Sequence, residues 1–188
     1  MQNISNQGWS IRTENAAGSG KIVFAMLQNV TTNELRVTTT NNHLQIGSWT
    51  HIVMTFSGNS LASGVTIYIN GTAVALTTNL DVLTTNPSSS VTMHVGANAA
   101  ASPSNFFLGN VDELSIWNRV LTAGEVTTIY NLGKPNDLAA QSFYASAAIY
   151  WWRMGDNDTF PVLVEQKGTG TSLQMYNSVS TQIDGAVP

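Results

Sequence analysis

Trp49-Thr50-His51-Ile52-Val53-Met54-Thr55-Phe56, followed by Val65-Thr66-Ile67-Tyr68-Ile69-Asn70-Gly71, is the stretch on which the fold turns. In the second run Val65, Ile67 and Ile69 alternate with Thr66, Tyr68 and Asn70, the period of a strand with one apolar and one polar face. Asn70-Gly71 supplies two residues that tolerate positive φ, so a tight hairpin is predicted from Val65 to Leu76.

Outward from this hairpin, short β-branched and aromatic runs are separated by Gly, Asn, Ser and Pro, the pattern of strands and turns. It predicts strands at Trp9–Thr13, Lys21–Gln28, Glu34–Thr39, Trp49–Phe56, Val65–Asn70, Ala73–Thr77, Val91–Val95, Phe106–Leu108 and Val111–Trp117. One short helix interrupts the series. Thr122 opens a Thr-x-x-Glu capping box with Glu125, Val126, Ile129 and Tyr130 form an apolar stripe, and Gly133 then Pro135 end it. The fold class expected is all-β.

The totals agree with one folded domain. Of 188 residues, 43% are hydrophobic and only 10% charged, which argues against disorder and for an uncharged polar surface. The formal net charge of -4 is spread over single residues with no basic stripe, so no nucleic-acid partner is expected. No apolar run reaches membrane-spanning length, and Met1 to Ser10 lacks the basic-then-apolar order of a signal peptide, so no membrane insertion is expected. Cysteine is absent, which removes disulfides, thiolate metal sites and thiol nucleophiles.

The two quoted runs resemble the "W-x-H-V … Y-(I/V)-(D/N)-G" signature of laminin G-like, concanavalin A-like domains. A later stretch, Phe107-Leu108-Gly109-Asn110-Val111-Asp112-Glu113-Leu114-Ser115-Ile116-Trp117-Asn118-Arg119-Val120-Leu121-Thr122, is similar to that family's "F-x-G-x-(I/V)-D-E" segment, with Glu125 and Tyr130 following as they do there. The resemblance covers about half the chain in the family's order. It implies a jelly roll, an antiparallel two-sheet β-sandwich, over residues 1–137. Residues 138–188 would then be a connector and closing strand segment packed on the same sandwich. Family members carry one or two strands ahead of the segment matching Gly8-Trp9-Ser10, and here seven residues precede Gly8. Three arrangements account for this: the chain is cleaved or trimmed, its own closing segment fills the place, or a neighbouring chain donates a strand.

Little in the residues points to catalysis. Glycosidases of this class need two carboxylates facing one cleft, whereas Asp112 and Glu113 are adjacent and on a strand point to opposite faces. His43, His51 and His94 show no metal-ligand spacing, and His51 stands at the family's own strand position, which implies a structural role. No Gly-x-Ser-x-Gly elbow or phosphate-binding glycine loop occurs. The domain is expected not to be an enzyme.

Two sets of residues are candidates for binding. Many laminin G-like domains hold calcium at the rim, and Gly155-Asp156-Asn157-Asp158-Thr159 offers oxygens for it, with Asp156 and Asp158 as ligands. Tyr150 and Trp152, in the aromatic strand Ile149–Met154, are candidate ligand-binding rings for a glycan. Trp49 and Trp117 are expected to be packing residues. The closing segment, from Trp151-Trp152-Arg153-Met154-Gly155 onward, is similar to the ends of such domains in tailed-phage virion proteins. That implies a virion location, with other virion proteins or copies of the chain itself as partners and a cell-surface glycan as a further one. The alternative is an adhesion or carbohydrate-binding module of a larger secreted bacterial protein.

Overall fold

The structure is a computed structural model that describes residues 7–14, 16, 18–85, 87–89, 92–98, 104–155 and 158–175. Its strands are β1 (Gly8–Thr13), β2 (Ile22–Asn29), β3 (Asn33–Thr39), β4 (Ile52–Phe56), β5 (Val65–Ile69), β6 (Thr72–Ala73) and β7 (Leu76–Asp81). After a long irregular stretch come β8 (Leu114–Trp117), the helices α1 (Ala123–Tyr130) and α2 (Tyr144–Ala147), then β9 (Ala148–Trp152), β10 (Val162–Leu163) and β11 (Leu173–Gln174). The chain is mostly β, in several small antiparallel sheets with the orders β1-β2-β3-β7, β4-β5-β6, β8-β9 and β10-β11.

The hairpin forms as its sequence predicts. Val65, Ile67 and Ile69 are buried while Thr66 and Tyr68 are half-buried. Asn70 and Gly71 take φ of 49° and 79°, the pair of left-handed residues that joins two strands through a two-residue turn. β5 pairs with β4 on one side and β6 on the other, so Ile52, Met54 and Phe56 share the face of Ile69, Ile67 and Val65. That face meets Ile22 and Phe24 of β2 and Leu35 and Val37 of β3 in one core cluster, where the rings of Phe24 and Phe56 lie 6.4 Å apart. The strand expected over Ala73–Thr77 divides instead: Thr72–Ala73 pairs with β5, and Leu76–Asp81 crosses to pair with β3. The chain changes sheets at Val74 and Ala75, which lie outside both strands.

Later strand expectations hold only in part. Among the described residues of 91–95 none is in a strand, Val91 lying outside those described, and Phe106–Leu108 is irregular and exposed. Of Val111–Trp117 only Leu114–Trp117 is extended into a ladder, because Glu113 adopts φ of 52° and turns the backbone out of strand geometry. The helix after β8 is capped as expected. Thr122 Oγ1 accepts from the Glu125 N–H, and Glu125 in turn accepts from the Thr122 N–H at 2.8 Å. A second, four-residue helix, α2, was not anticipated: its composition, Tyr-Ala-Ser-Ala, reads as connector.

The closing segment docks on β8. β9 pairs with it antiparallel, setting Leu114 opposite Trp152, Ser115 opposite Trp151 and Ile116 opposite Tyr150. Behind this ribbon Leu138, Tyr144, Ala148 and Trp151 form a second core with Trp117 and Ile129. Trp117 is a packing residue, its ring 5.6 Å from that of Phe143 and its Nε1 donating to Ser115 Oγ.

Candidate functional site

Tyr150 and Trp152 emerge on the same face of β9, two residues apart, and their rings stack at 5.3 Å. Trp152 is only 1% exposed, and its Nε1 donates to the Thr171 carbonyl. Its ring is therefore committed to packing under the β10-β11 segment, which assigns it a structural place rather than a ligand-facing one. Tyr150 is half-buried beside it.

Of the two carboxylates expected at a calcium site, Asp156 lies outside the described residues. Asp158 closes a turn: its Oδ2 accepts from the Gly155 N–H at 2.9 Å and its Oδ1 from the Val164 N–H at 2.7 Å. Among the described residues no three His, Asp or Glu side chains gather as a metal-ligand set.

The carboxylates of Glu113 and Glu165 serve as acceptors within the fold. Glu113 Oε2 accepts from Trp151 Nε1 at 2.6 Å, and its Oε1 pairs with Arg153 Nε at 3.2 Å. Arg153 also lies over the Trp151 ring, 5.5 Å from its centre. Glu165 is nearly fully buried and accepts from the N–H groups of Trp151, Lys167 and Thr169 and from Thr169 Oγ1. Burial pushes the Glu165 carboxyl up, but its hydrogen bonds from Thr169, Lys167 and Trp151 together outweigh burial and hold it below the usual range. Lys167 completes this knot by donating to the carbonyls of Tyr144 and Ala145. Sequence reasoning missed Glu165. The available signal was Glu165-Gln166-Lys167-Gly168-Thr169-Gly170, a turn-forming run whose N–H groups curl back on the carboxylate that opens it.

His51 occupies a structural position. Its backbone exchanges hydrogen bonds with Asn70, the His51 N–H to Asn70 Oδ1 and the Asn70 N–H to the His51 carbonyl, both at 2.9 Å. Its ring sits 5.6 Å from that of Tyr130, and burial lowers its pKa.

Trp49 contradicts its expected place in the core. Strand β4 begins only at Ile52, and Trp49 stands in the preceding loop, 51% exposed. The same loop exposes Asn41, Asn42, Gln45, Ile46 and Ser48. An open indole in one loop with exposed amide and hydroxyl groups is chemistry suited to a sugar, the ring covering an apolar pyranose face and the amides meeting hydroxyls. Phe106, Phe107 and Leu108 form a second exposed apolar set, in the irregular segment where a strand was expected.

The architecture is that of a mostly β domain with a core shared between two antiparallel sheets and a capped helix after β8. A family model described as the concanavalin A-like lectin/glucanases superfamily matches residues 1–127. The chain belongs to that superfamily. Comparisons with curated proteins and with solved structures gave no match.

Proposed function

We propose that this chain is a non-catalytic adhesion module that binds carbohydrate through the Trp49 loop and contacts neighbouring subunits through its exposed apolar residues. The observation that carries this reading is the exposure of Trp49 in the same loop that exposes Asn41, Asn42, Gln45 and Ser48. Large apolar residues left in water in groups mark interaction surfaces. The non-catalytic part is supported by Glu113 and Glu165, whose oxygens are occupied by donors of the closing segment. The setting we favour is a virion, with the chain as a capsid decoration, fibre or tail-associated part. That rests on the resemblance of the closing segment, and the alternative remains a module of a larger secreted bacterial protein.

A glycan array probed with the intact chain and with Trp49→Ala tests the binding site. Reproducible binding that the substitution abolishes supports it, and binding that survives Trp49→Ala, or no binding to any glycan, removes the carbohydrate arm. Turnover of a polysaccharide, lost on Asp112→Asn or Glu113→Gln, would overturn the non-catalytic reading. Mass spectrometry of purified particles decides the setting, since a virion part is found there in many symmetric copies.

A further inference from the structure

β1 is the edge of its sheet, and no strand among the described residues pairs with its outer side. Its register with β2 sets Trp9 opposite Met26 and Ile11 opposite Phe24. Phe24 belongs to the core cluster and Met26 packs against it, so Trp9 and Ile11 lie on the core-facing side of the sheet. Yet Trp9 is 52% and Ile11 43% exposed. The apolar stripe of the core therefore runs off the edge of the sheet into solvent.

Exposed edges are ordinarily blunted by prolines, charges or bulges. The opposite edge, β7, follows that rule, with exposed Thr77, Thr78, Asn79 and Asp81 and a register shift against β3 between Arg36 and Val37. β1 has none of this beyond Arg12. Its ladder to β2 is unbroken from Gly8 to Thr13.

We infer that β1 pairs antiparallel with β1 of a second copy of this chain about a twofold axis through Ser10, joining the two four-stranded sheets into one. In that register Trp9 of each copy faces Ile11 of the other, giving two aromatic–β-branched pairs on the apolar side, a favourable cross-strand combination. Gln7 meets Thr13, Ser10 meets its own copy, and Arg12 meets Gly8. The two Arg12 residues are thereby held about 14 Å apart along the strands, beyond the screening length of roughly 8 Å at physiological salt. No like charges oppose each other. Such an interface is isologous, each copy offering the same patch, and closes at two. It goes beyond the adhesive reading and stands without it.

The test uses the whole chain, which contains no cysteine. Sedimentation equilibrium is expected to give twice the chain mass of 20.1 kDa. Trp9→Lys and Ile11→Lys, both at exposed positions, should weaken the dimer about tenfold or more, with an unchanged circular-dichroism spectrum. Ser10→Cys places a thiol on the axis, where antiparallel partners lie about 5 Å apart between Cα atoms, within disulfide range. Mild oxidation should link two Ser10→Cys chains rapidly and leave Thr78→Cys chains, altered on the opposite edge, largely unlinked. A monomer at every concentration, a dimer indifferent to Ile11→Lys, or equal linking of the two cysteine variants overturns the inference. In the first case Trp9 and Ile11 are covered within one chain or by a foreign partner.

Discussion

The Glu113 carboxylate accepts a 2.6 Å hydrogen bond from the Trp151 indole, joining residues 38 positions apart. One end of that bond belongs to the family's Asp-Glu motif and the other to the closing segment, so the motif here acts as an anchor for β9. Glu113 reaches Trp151 and Arg153 from a left-handed backbone, φ 52°, a conformation that costs a non-glycine residue of order 1 kcal/mol and persists where surrounding contacts hold it. Glu113→Ala should destabilise the protein by about 2 kcal/mol, the scale of a charge-assisted hydrogen bond left without its acceptor. Glu113→Gln, which keeps one acceptor oxygen, should cost less. Urea denaturation followed by tryptophan fluorescence measures both, and equal losses in the two variants would contradict the anchoring role.

Glu165 predicts acid sensitivity of the closing segment. Its folded-state pKa is depressed, so it contributes stability above its unfolded pKa that is lost as pH falls through the lower, folded value. Melting temperatures should therefore decline on acidification through the carboxylate range, and Glu165→Gln should flatten that decline. The same substitution at neutral pH should cost about 3 kcal/mol, because buried donors of Trp151, Lys167 and Thr169 lose a charged acceptor. An unaltered pH profile in Glu165→Gln is the contrary result.

Helix α1 carries a second acid-dependent contact. The Arg119 guanidinium, with the Thr122 N–H and hydroxyl, holds the Glu125 carboxyl at about 2. The capping contribution should persist to low pH and fade only as pH drops from the ordinary carboxylate range toward that value. Arg119 is exposed and Glu125 half-buried beside it, so solvent screens the ion pair, which adds little, and the cap dominates. Thr122→Ala should cost about 1 kcal/mol, and raising salt should barely change it. Thermal melts at two ionic strengths check this.

The Asn70-Gly71 turn admits no side chain at its second position. Gly71 has φ of 79°, and a Cβ there would meet Tyr130 Cδ1 at 2.9 Å. Gly71→Ala should destabilise by more than about 1 kcal/mol, since backbone strain and the displaced ring add. Replacing Tyr130 by Leu in the same chain should relieve part of the loss, measured as a non-additive double-mutant cycle.

Asp158 should matter through its turn. Asp158→Ala removes acceptors for the Gly155 and Val164 N–H groups and should lower the melting temperature by a similar amount with calcium and with chelator. A loss seen only in calcium would assign Asp158 to an ion instead.

Much of the local structure is legible in short runs of the chain. The Val65–Ile69 alternation, the Asn70-Gly71 turn and the Thr122–Glu125 box act within a few residues, where periodicity and backbone preference determine geometry. The loop at Trp49 and the irregular run at Phe106–Leu108 read as strands because aromatic and β-branched residues have strand propensity wherever they stand. A strand needs a hydrogen-bonded neighbour, and neither segment finds one in a ladder among the described residues.

Of the candidate site, the residue types were legible and their roles were not. Tyr150 and Trp152 were recognisable as an aromatic pair, but only the cover of the β10-β11 segment, ending in the Trp152–Thr171 hydrogen bond, commits the indole to packing. Sequence by itself determined a mostly β chain with one tight hairpin, a capped helix and no cysteine chemistry. Tertiary structure decided that Glu113 and Glu165 tie down the closing segment, that Trp49 faces solvent and that β1 leaves Trp9 and Ile11 uncovered. Burial and long-range hydrogen bonding depend on which segments meet, and that is a property of the assembled sheets rather than of any short run of residues.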